Sequence, residues 1–562
     1  MDSENKTVDM HTTTEEAAAR AIDVEHSMGL KDSLRIYRRA CLWSILVSTC
    51  IIMEGFDQTM LNNLYAYPPF KAKYGVRRES ASGAVGYELT AQWQSGLSNG
   101  AQAGQILGLF LNGFVADRYG YRVTLVGALA ACVAFTFIIF FSETLPVLLV
   151  GEVLVGVPWG FFQTLAPTYA ADVCPTHLRA QLTTYVNLCW VIGQLAASGV
   201  MRAMLSRDDD WGYRIPFALQ WAWPVPLAVG IWMAPESPWW LIRRGRLDEA
   251  RRSLARLADR ASDRDLDRAM SAMVHTDELE RGQLAGTTYL DLFRGVNLRR
   301  TEIVCAAWMA QHWVGCSLMG YSTYFYQNAG MDVADSFTLS LGQYALGAVG
   351  TVSSWFLMVR LGRRTLYLAG QLSMLVLLLV IGSCGAYSYS SSSSGGAARQ
   401  DGAVQWAVGS LLLLYTFAYD CTVGPVCYSL VSELTSTRMR TKSIVLARNC
   451  YNVMAILANV ITPNMLNPSA WDWGARSAYF FAGTCLVCLV WTFFRLPEPK
   501  GRTYAELDIL FERKVSARKF SSTRIARPVS RRDVTGSPAA AAVDGSRRHG
   551  EKTAQAVEVE HT

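Results

Sequence analysis

Apolar stretches of about 20 residues, parted by short polar or charged loops, recur from residue 40 to residue 495. Each is long enough to cross a hydrocarbon core of about 30 Å as a helix. Helix is the form such a segment must take, because lipid offers a backbone N–H or C=O no partner. The pattern predicts twelve spans, at 40–62, 92–115, 122–141, 145–170, 181–201, 215–234, 302–326, 337–358, 365–387, 404–432, 442–464 and 475–495. About 36 polar residues of mixed charge precede the first run, so it reads as a true span and not as a cleavable leader.

Charge then orients the spans. "DRYGYR", "RLGRRT", "RMRTK" and the Arg-rich segment 243–300 all follow even-numbered spans, whereas the loops 142–144 and 327–336 carry no Lys or Arg. The positive-inside rule therefore places both termini and the long middle loop in the cytoplasm. The expected organisation is an N-terminal tail 1–39, a six-helix half 40–234, a middle loop 235–301, a second half 302–495 and a C-terminal tail 496–562. Within the middle loop Leu247, Ala250, Leu254 and Leu257 fall on one face of a charged helix lying along the cytoplasmic surface. Residues 387–402 read as a flexible external linker, and the chain beyond about Arg513 as disordered.

Composition sharpens this picture. A chain of 562 residues that is 51% hydrophobic and only 17% charged is not an ordinary soluble protein. Its 13 Cys are scattered, and the close pair Cys485 and Cys488 sits in an apolar run with no other metal ligand nearby, so they read as packing residues. No Walker loop, no Cys/His cluster of metal spacing and no catalytic arrangement is present in the sequence, which points away from an enzyme, a cofactor, a metal or ATP drive. Nucleic-acid binding is not indicated either. The Arg-rich tail suits anionic lipid, or phosphorylation and trafficking machinery, and a monomer is expected.

The two halves repeat. Arg118 of "DRYG" corresponds to Arg360 of "VRLG" at an offset of 242, and Pro235–Glu236 to Pro497–Glu498 at 262. Asp172, seven before Arg179, corresponds to Glu433, seven before Arg440, at 261, the extra residues arising at the Ser-rich linker. Two parallel six-helix halves put a binding site between them near mid-membrane.

"GFVADRYGYR", "YAADVCPTHLR", "PESPWWL", "GRR", "GPVCYSLVSE" and "LPEPKG" occur in the order and at the helix ends that resemble sugar porters of the major facilitator superfamily. The likeness covers roughly 40–513 and implies an all-α membrane protein with twelve transmembrane helices in two pseudo-symmetric halves. "PWGFFQTLAPTYAADVCP", "LTTYVNLCWVIGQL", "GYSTYFY" and "YDCTVGPVCYSLVSE" are similar to the fungal maltose permease branch, the α-glucoside:proton symporters. The resemblance implies gating roles. Gly113 and Gly120 would allow close packing and a tight turn, and Asp117, Arg118 and Arg122 would pair across helix ends. Glu236, Asp172 with Arg179, Glu433 with Arg438 and Arg440, and Glu498 with Arg363 and Arg364 would form a charged latch. One departure stands out: family members usually carry Asp before Arg360, and here the residue is Val359.

Acids inside the spans carry the candidate chemistry. Glu54, Asp57, Glu152 and Asp420 face a single intramembrane cation, Arg448. A carboxylate in lipid is expensive and turns to a cavity or a partner. Desolvation and mutual repulsion favour a proton on at least one of these four, which is what coupling to protons requires. The same residues also fit sugar hydroxyls or packing. Hexose and pentose porters carry an Arg on the fourth span to partner the first-span Asp. Here Glu152 stands in its place, a substitution shared by the maltose permease branch, with Arg448 as the alternative counter-charge.

For sugar, Gln194 and Gln311 match the family's binding glutamines, and Asn187 lies seven residues before Gln194 on the same face. His312, Ser317 and Tyr428 replace the usual Gln, Asn and Trp, which fits a wider cavity. Asn452, with Tyr321, Tyr324 and Asn449, is a weaker candidate, because polar residues also glue helices together. The expectation is proton-coupled import of a maltose-like sugar across a fungal plasma membrane. A proton-independent uniporter and a non-transporting sensor are the alternatives. A drug:proton antiporter is disfavoured, since the fifth span lacks the Gly-Pro-rich pattern of those proteins.

Overall fold

The computed structural model describes residues 35, 37–79, 85–173, 176–259, 262–284, 289–393, 402–435, 439–500, 502 and 504–523. The twelve spans are present, mostly longer than the apolar runs because helices continue into the interface. The first six are Arg38–Leu64, Ala91–Tyr119, Tyr121–Phe140, Leu145–Val173, Thr176–Met204 and Trp211–Met233. The second six are 295–328, Val333–Leu361, Arg363–Ser393, Gly402–Leu434, Arg440–Leu466 and Ser477–Arg495. Among the described residues nine helices are long and apolar enough to cross a membrane. The second, fifth and seventh spans fall outside that group. The second and fifth carry Gln94, Gln102, Gln105, Asn112, Asn187 and Gln194, and the seventh is broken into short pieces.

The packing repeats as the landmarks do. Spans 1 and 5, 2 and 4, and 3 and 6 pair in the first half; spans 7 and 11, 8 and 10, and 9 and 12 pair in the second. Spans 5 and 8, and 2 and 11, join the halves. Spans 2 and 4 cross closely through Gly104, Gly108, Gly156 and Gly160, where an added Cβ would meet the facing backbone.

Hydrogen bonds between the halves gather on the face opposite the basic loops. Asn62 Nδ2 donates to Gly320 O at 3.2 Å, Thr323 Oγ1 to Asn63 Oδ1 at 2.6 Å and Gln327 Nε2 to Ala66 O at 3.0 Å. Tyr324 Oη donates to Glu88 Oε1 at 2.7 Å and Asn467 Nδ2 to Leu89 O at 2.9 Å. Glu88 ends a β-hairpin, Val76–Glu79 with Val85–Glu88, which apolar periodicity did not predict. That face of the molecule is shut.

Three expectations change. Residues 387–393 continue the ninth helix and are not linker, and the rest of 387–402, apart from Gly402, lies outside the described residues. Helix Tyr504–Glu512 and residues up to 523 pack on the base of the seventh span, so the tail's first part is ordered. Arg300 pairs with Asp508 at 2.5 Å, Arg299 donates to Val515 O at 2.8 Å, and Phe511 meets Phe520 edge-on at 5.1 Å. In helix Leu247–Leu257, Ala250, Leu254 and Leu257 are buried against neighbouring helices, but Leu247, at the first helical position, is exposed.

Candidate functional site

A cavity lies between the halves at mid-span. Its volume, counted as space open to water centres, is about 110 Å³, well beyond the roughly 10–15 Å³ that one water needs on that measure. Asp57, Gln58 and Asn62 of span 1, Gln102 of span 2 and Glu152 of span 4 line the first half's wall, with Asn187, Trp190 and Gln194 of span 5. Gln311, His312, Ser317 and Tyr321 of span 7 face them, with Tyr419, Asp420 and Tyr428 of span 10 and Arg448, Tyr451 and Asn459 of span 11.

Two candidates fall elsewhere. Asn452 is fully buried but absent from the wall. Span 11 turns Arg448, Tyr451, Ala455 and Asn459 to the cavity, and Asn452 sits one residue, about 100°, round the helix. Glu54 is also fully buried and outside the wall. Gln163 Nε2 donates to its two oxygens at 2.7 and 2.6 Å, and Gln105 Nε2 also donates to it. The close crossing of spans 2 and 4 is what brings both amides to one carboxyl.

Asp57 and Glu152 meet at the cavity wall, their carboxyl groups interacting directly and wholly buried. Gln220 Nε2 donates to Asp57 Oδ1, while Asp57 Oδ2 and both Glu152 oxygens have no hydrogen-bond donor. Two ionised carboxylates at this range repel strongly where the dielectric is low, so the arrangement can take up one proton between them. Asp420, on the far wall, interacts with Asn187 across the two halves.

Arg448 forms no ion pair with a described carboxylate. Its guanidinium stacks on Tyr451 at 4.2 Å and Trp308 at 4.9 Å. Its charge reaches Glu54 through space. The expected counter-charge is thus held by aromatic faces, not by salt bridging.

The seventh span breaks where the ligand candidates lie. Helix Gly295–Gln311 passes into a π turn, His312–Cys316, before two short helices, Ser317–Gly320 and Ser322–Asn328. Gly315 adopts φ +103°, which a side chain would oppose. The freed carbonyls find partners: Tyr415 Oη donates to Val314 O at 2.7 Å and Thr484 Oγ1 to Trp313 O at 2.6 Å. Irregular backbone of this kind occurs at membrane depth where it borders a cavity.

Several polar atoms in the wall have no protein partner, namely Gln58 Nε2, Gln102 Oε1, Gln311 Nε2 and both ring nitrogens of His312. Donors and acceptors stand beside the aromatic faces of Trp190, Tyr321, Tyr428 and Tyr451. That mixture suits a solute with many hydroxyls and an apolar ring face. Gln58, Gln102, Trp190 and Tyr451 went unnoticed in the sequence; Gln58 and Gln102 fall on the same helix faces as Asn62 and Ser98, a signal that was there. Of the weaker candidates, Tyr324 serves the closed face and Asn449 donates to Val445 O at 3.0 Å.

At the basic face the latch residues work mainly through backbone. Glu236 accepts the N–H groups of Tyr121 and Arg122, at 2.9 and 3.1 Å, capping the third span. Glu498 accepts those of Arg363 and Arg364, at 2.9 and 3.0 Å, capping the ninth. Gly120 (φ +88°) and Gly362 (φ +83°) make the two turns. Burial pushes the Glu236 carboxyl above the usual carboxylate range, and backbone N–H groups pull it back.

The side-chain pairs are fewer than expected. Arg363 Nη2 pairs with Glu433 Oε1 at 2.9 Å, and Ser237 Oγ donates to Asp172 Oδ2 at 2.7 Å. Asp117 and Arg118 are exposed and form no ion pair among the described residues. Arg118 lies over Tyr119 at 5.7 Å and Arg122 over Trp232 at 5.2 Å. Gly113 is exposed with open space beside it, so it mediates no close packing. Arg438 and the side chains of Arg179 and Arg440 lie outside the described residues. Every basic-face contact named here stays within one half.

Fold and cavity together define a membrane carrier of two helical halves with a solute site between them. Residues 43–511 match the sugar (and other) transporter family, and the chain belongs to that family. It is 43% identical over 528 residues to the general alpha-glucoside permease of Saccharomyces cerevisiae S288c, covering 93% of this chain and 83% of that one. It is 42% identical over 530 residues to maltose permease MAL61 of Saccharomyces cerevisiae, covering 93% and 84%. The Escherichia coli xylose transporter XylE, partially occluded and inward open, shares the fold with a TM-score of 0.66, covering 84% of this chain and 100% of that one at 18% identity. XylE bound to 6-bromo-6-deoxy-D-glucose gives a TM-score of 0.65 at 20% identity, covering 85% and 99%.

Proposed function

We propose that the chain imports an α-glucoside of maltose-like size by proton symport, through alternating access. The observation that carries this reading is the buried Asp57–Glu152 pair opening onto a cavity of unpartnered amides. The permeases named for α-glucosides and maltose, similar over most of the chain, support the substrate class. The basic face is taken as cytoplasmic, with both termini inside, and the membrane as the plasma membrane of a fungal cell.

In the proposed cycle Asp57 and Glu152 take up a proton from outside, and sugar binds to Gln194, Gln311 and His312. The halves rock, and both cargoes leave inside. The bridged face is then the external one, so the arrangement described here belongs to the inward-directed part of the cycle. Each proton crossing a potential contributes about 2.3 kcal/mol per 100 mV, which drives accumulation.

Uptake of labelled sugars, from glucose to raffinose, in a transporter-null yeast with and without an uncoupler tests the proposal. Maltose-type uptake abolished by the uncoupler is expected. Uptake indifferent to the uncoupler would make the chain a uniporter, and sugar binding without uptake a sensor.

A further inference from the structure

The basic end of the second half holds a cationic, apolar patch that the transport cycle does not use. Arg364, at the start of span 9, and Arg518, in the segment after the last helix, both lie against Phe493, at 5.9 and 5.6 Å. Arg518 also covers Phe494 at 5.5 Å. Both rings are outward-facing, 44% and 55% exposed, at the end of span 12. Neither guanidinium forms an ion pair among the described residues; Arg364 Nη2 donates to Phe493 O at 2.9 Å, while Arg364 Nε is buried without a partner. The nearby carboxylate, Glu498, is occupied by the backbone N–H groups of Arg363, Arg364 and Lys500.

The internal repeat supplies a comparison. In the first half Arg122 lies over Trp232, the counterpart of Phe494, with no second cation described on that ring. There the residue before Arg118 is Asp117, a carboxylate on the same helix end. In the second half that place is Val359, 66% exposed, followed by exposed Arg360. The second half has therefore gained a cation, lost an acid and kept apolar surface at the same level. Two like charges share one ring beside outward-facing aromatics, with the backbone-capped Glu498 acting on Arg364 alone and only through space, an arrangement that calls for an anion bringing its own hydrocarbon.

We infer that Arg364 and Arg518 hold the net-negative headgroup, phosphate included, of an anionic glycerophospholipid whose acyl chains run along Phe493 and Phe494. The inference rests on the cytoplasmic assignment of the basic face, where anionic lipid is concentrated. Binding can be read without sugar transport, so failure of one reading leaves the other distinguishable.

The test uses the full chain in detergent, with lipid retention measured by native mass spectrometry for phosphatidylserine against phosphatidylcholine. Inorganic phosphate is the competing probe. Phosphatidylserine should be retained selectively and resist phosphate. Arg518→Gln and Val359→Asp should each lower that selectivity about five-fold, the equivalent of the roughly 1 kcal/mol per surface cation against anionic lipid. Arg251→Gln, which removes an exposed cation already paired with Asp263 and Asp267, is the control and should change nothing. Equal retention of the two lipids, indifference to both variants, or displacement by inorganic phosphate would each overturn the inference, the last by showing a free-anion site.

Discussion

Asp57 on the first span and Glu152 on the fourth meet carboxyl to carboxyl, both wholly buried, at the edge of the cavity. Hexose carriers of the resembled type place an Arg where Glu152 stands. Here an acid pair takes over, and the intramembrane cation is displaced to Arg448, in an aromatic cradle on the far half.

Asp57→Asn and Glu152→Gln should each abolish uphill accumulation of labelled maltose while sparing counterflow, which needs no net proton movement. Accumulation that survives both changes removes the pair from coupling.

Gln163→Leu should lower stability by about 1–3 kcal/mol, because it strips donors from the buried carboxyl of Glu54. Thermal unfolding of the purified protein reads the loss. The double variant Glu54→Gln with Gln163→Leu should be less damaged than additivity predicts, since no buried charge is then left short of partners.

Gln194→Ala should raise the apparent KM about five- to ten-fold, as expected for one hydrogen bond to sugar worth about 1–1.4 kcal/mol. Asn452→Ala, one helix face away from the wall, should leave KM unchanged. Equal effects of the two on KM would mean that the cavity wall is wrongly drawn.

Tyr324→Phe removes the hydroxyl that joins the seventh span to Glu88 of the hairpin. The closed face should open more often, and Cys316, which lines the cavity, should react several-fold faster with a membrane-impermeant maleimide added outside. Cys316→Ser supplies the blank. An unchanged labelling rate would assign Tyr324 to packing alone.

Much of this was legible in the sequence. Spans emerge from run length because the bilayer sets one dimension for all of them. Ten of the candidates, Asp57, Glu152, Asn187, Gln194, Gln311, His312, Ser317, Asp420, Tyr428 and Arg448, do line the cavity, because a polar residue at membrane depth has few other places to go. What escaped was partner choice. Gln105 and Gln163 reach Glu54 from spans 2 and 4, whose glycine-mediated crossing decides that, and Gln220 reaches Asp57 from the sixth span. Glu236 and Glu498 read as ion-pair residues beside arginines, yet they hold the N–H groups of the same segments. Sequence spacing puts a carboxylate near a helix start without saying which donor it takes. The π turn at His312 was hidden too, since Gly315 looks like any small residue in a span.

The matched bonds of Glu236 and Glu498 have one further consequence. Each ties the end of a six-helix unit back to an earlier turn in that same unit, so neither bond has to break when one unit swings against the other. Flexing is left to the seam between them, whose links must give way to water each time the units swing apart.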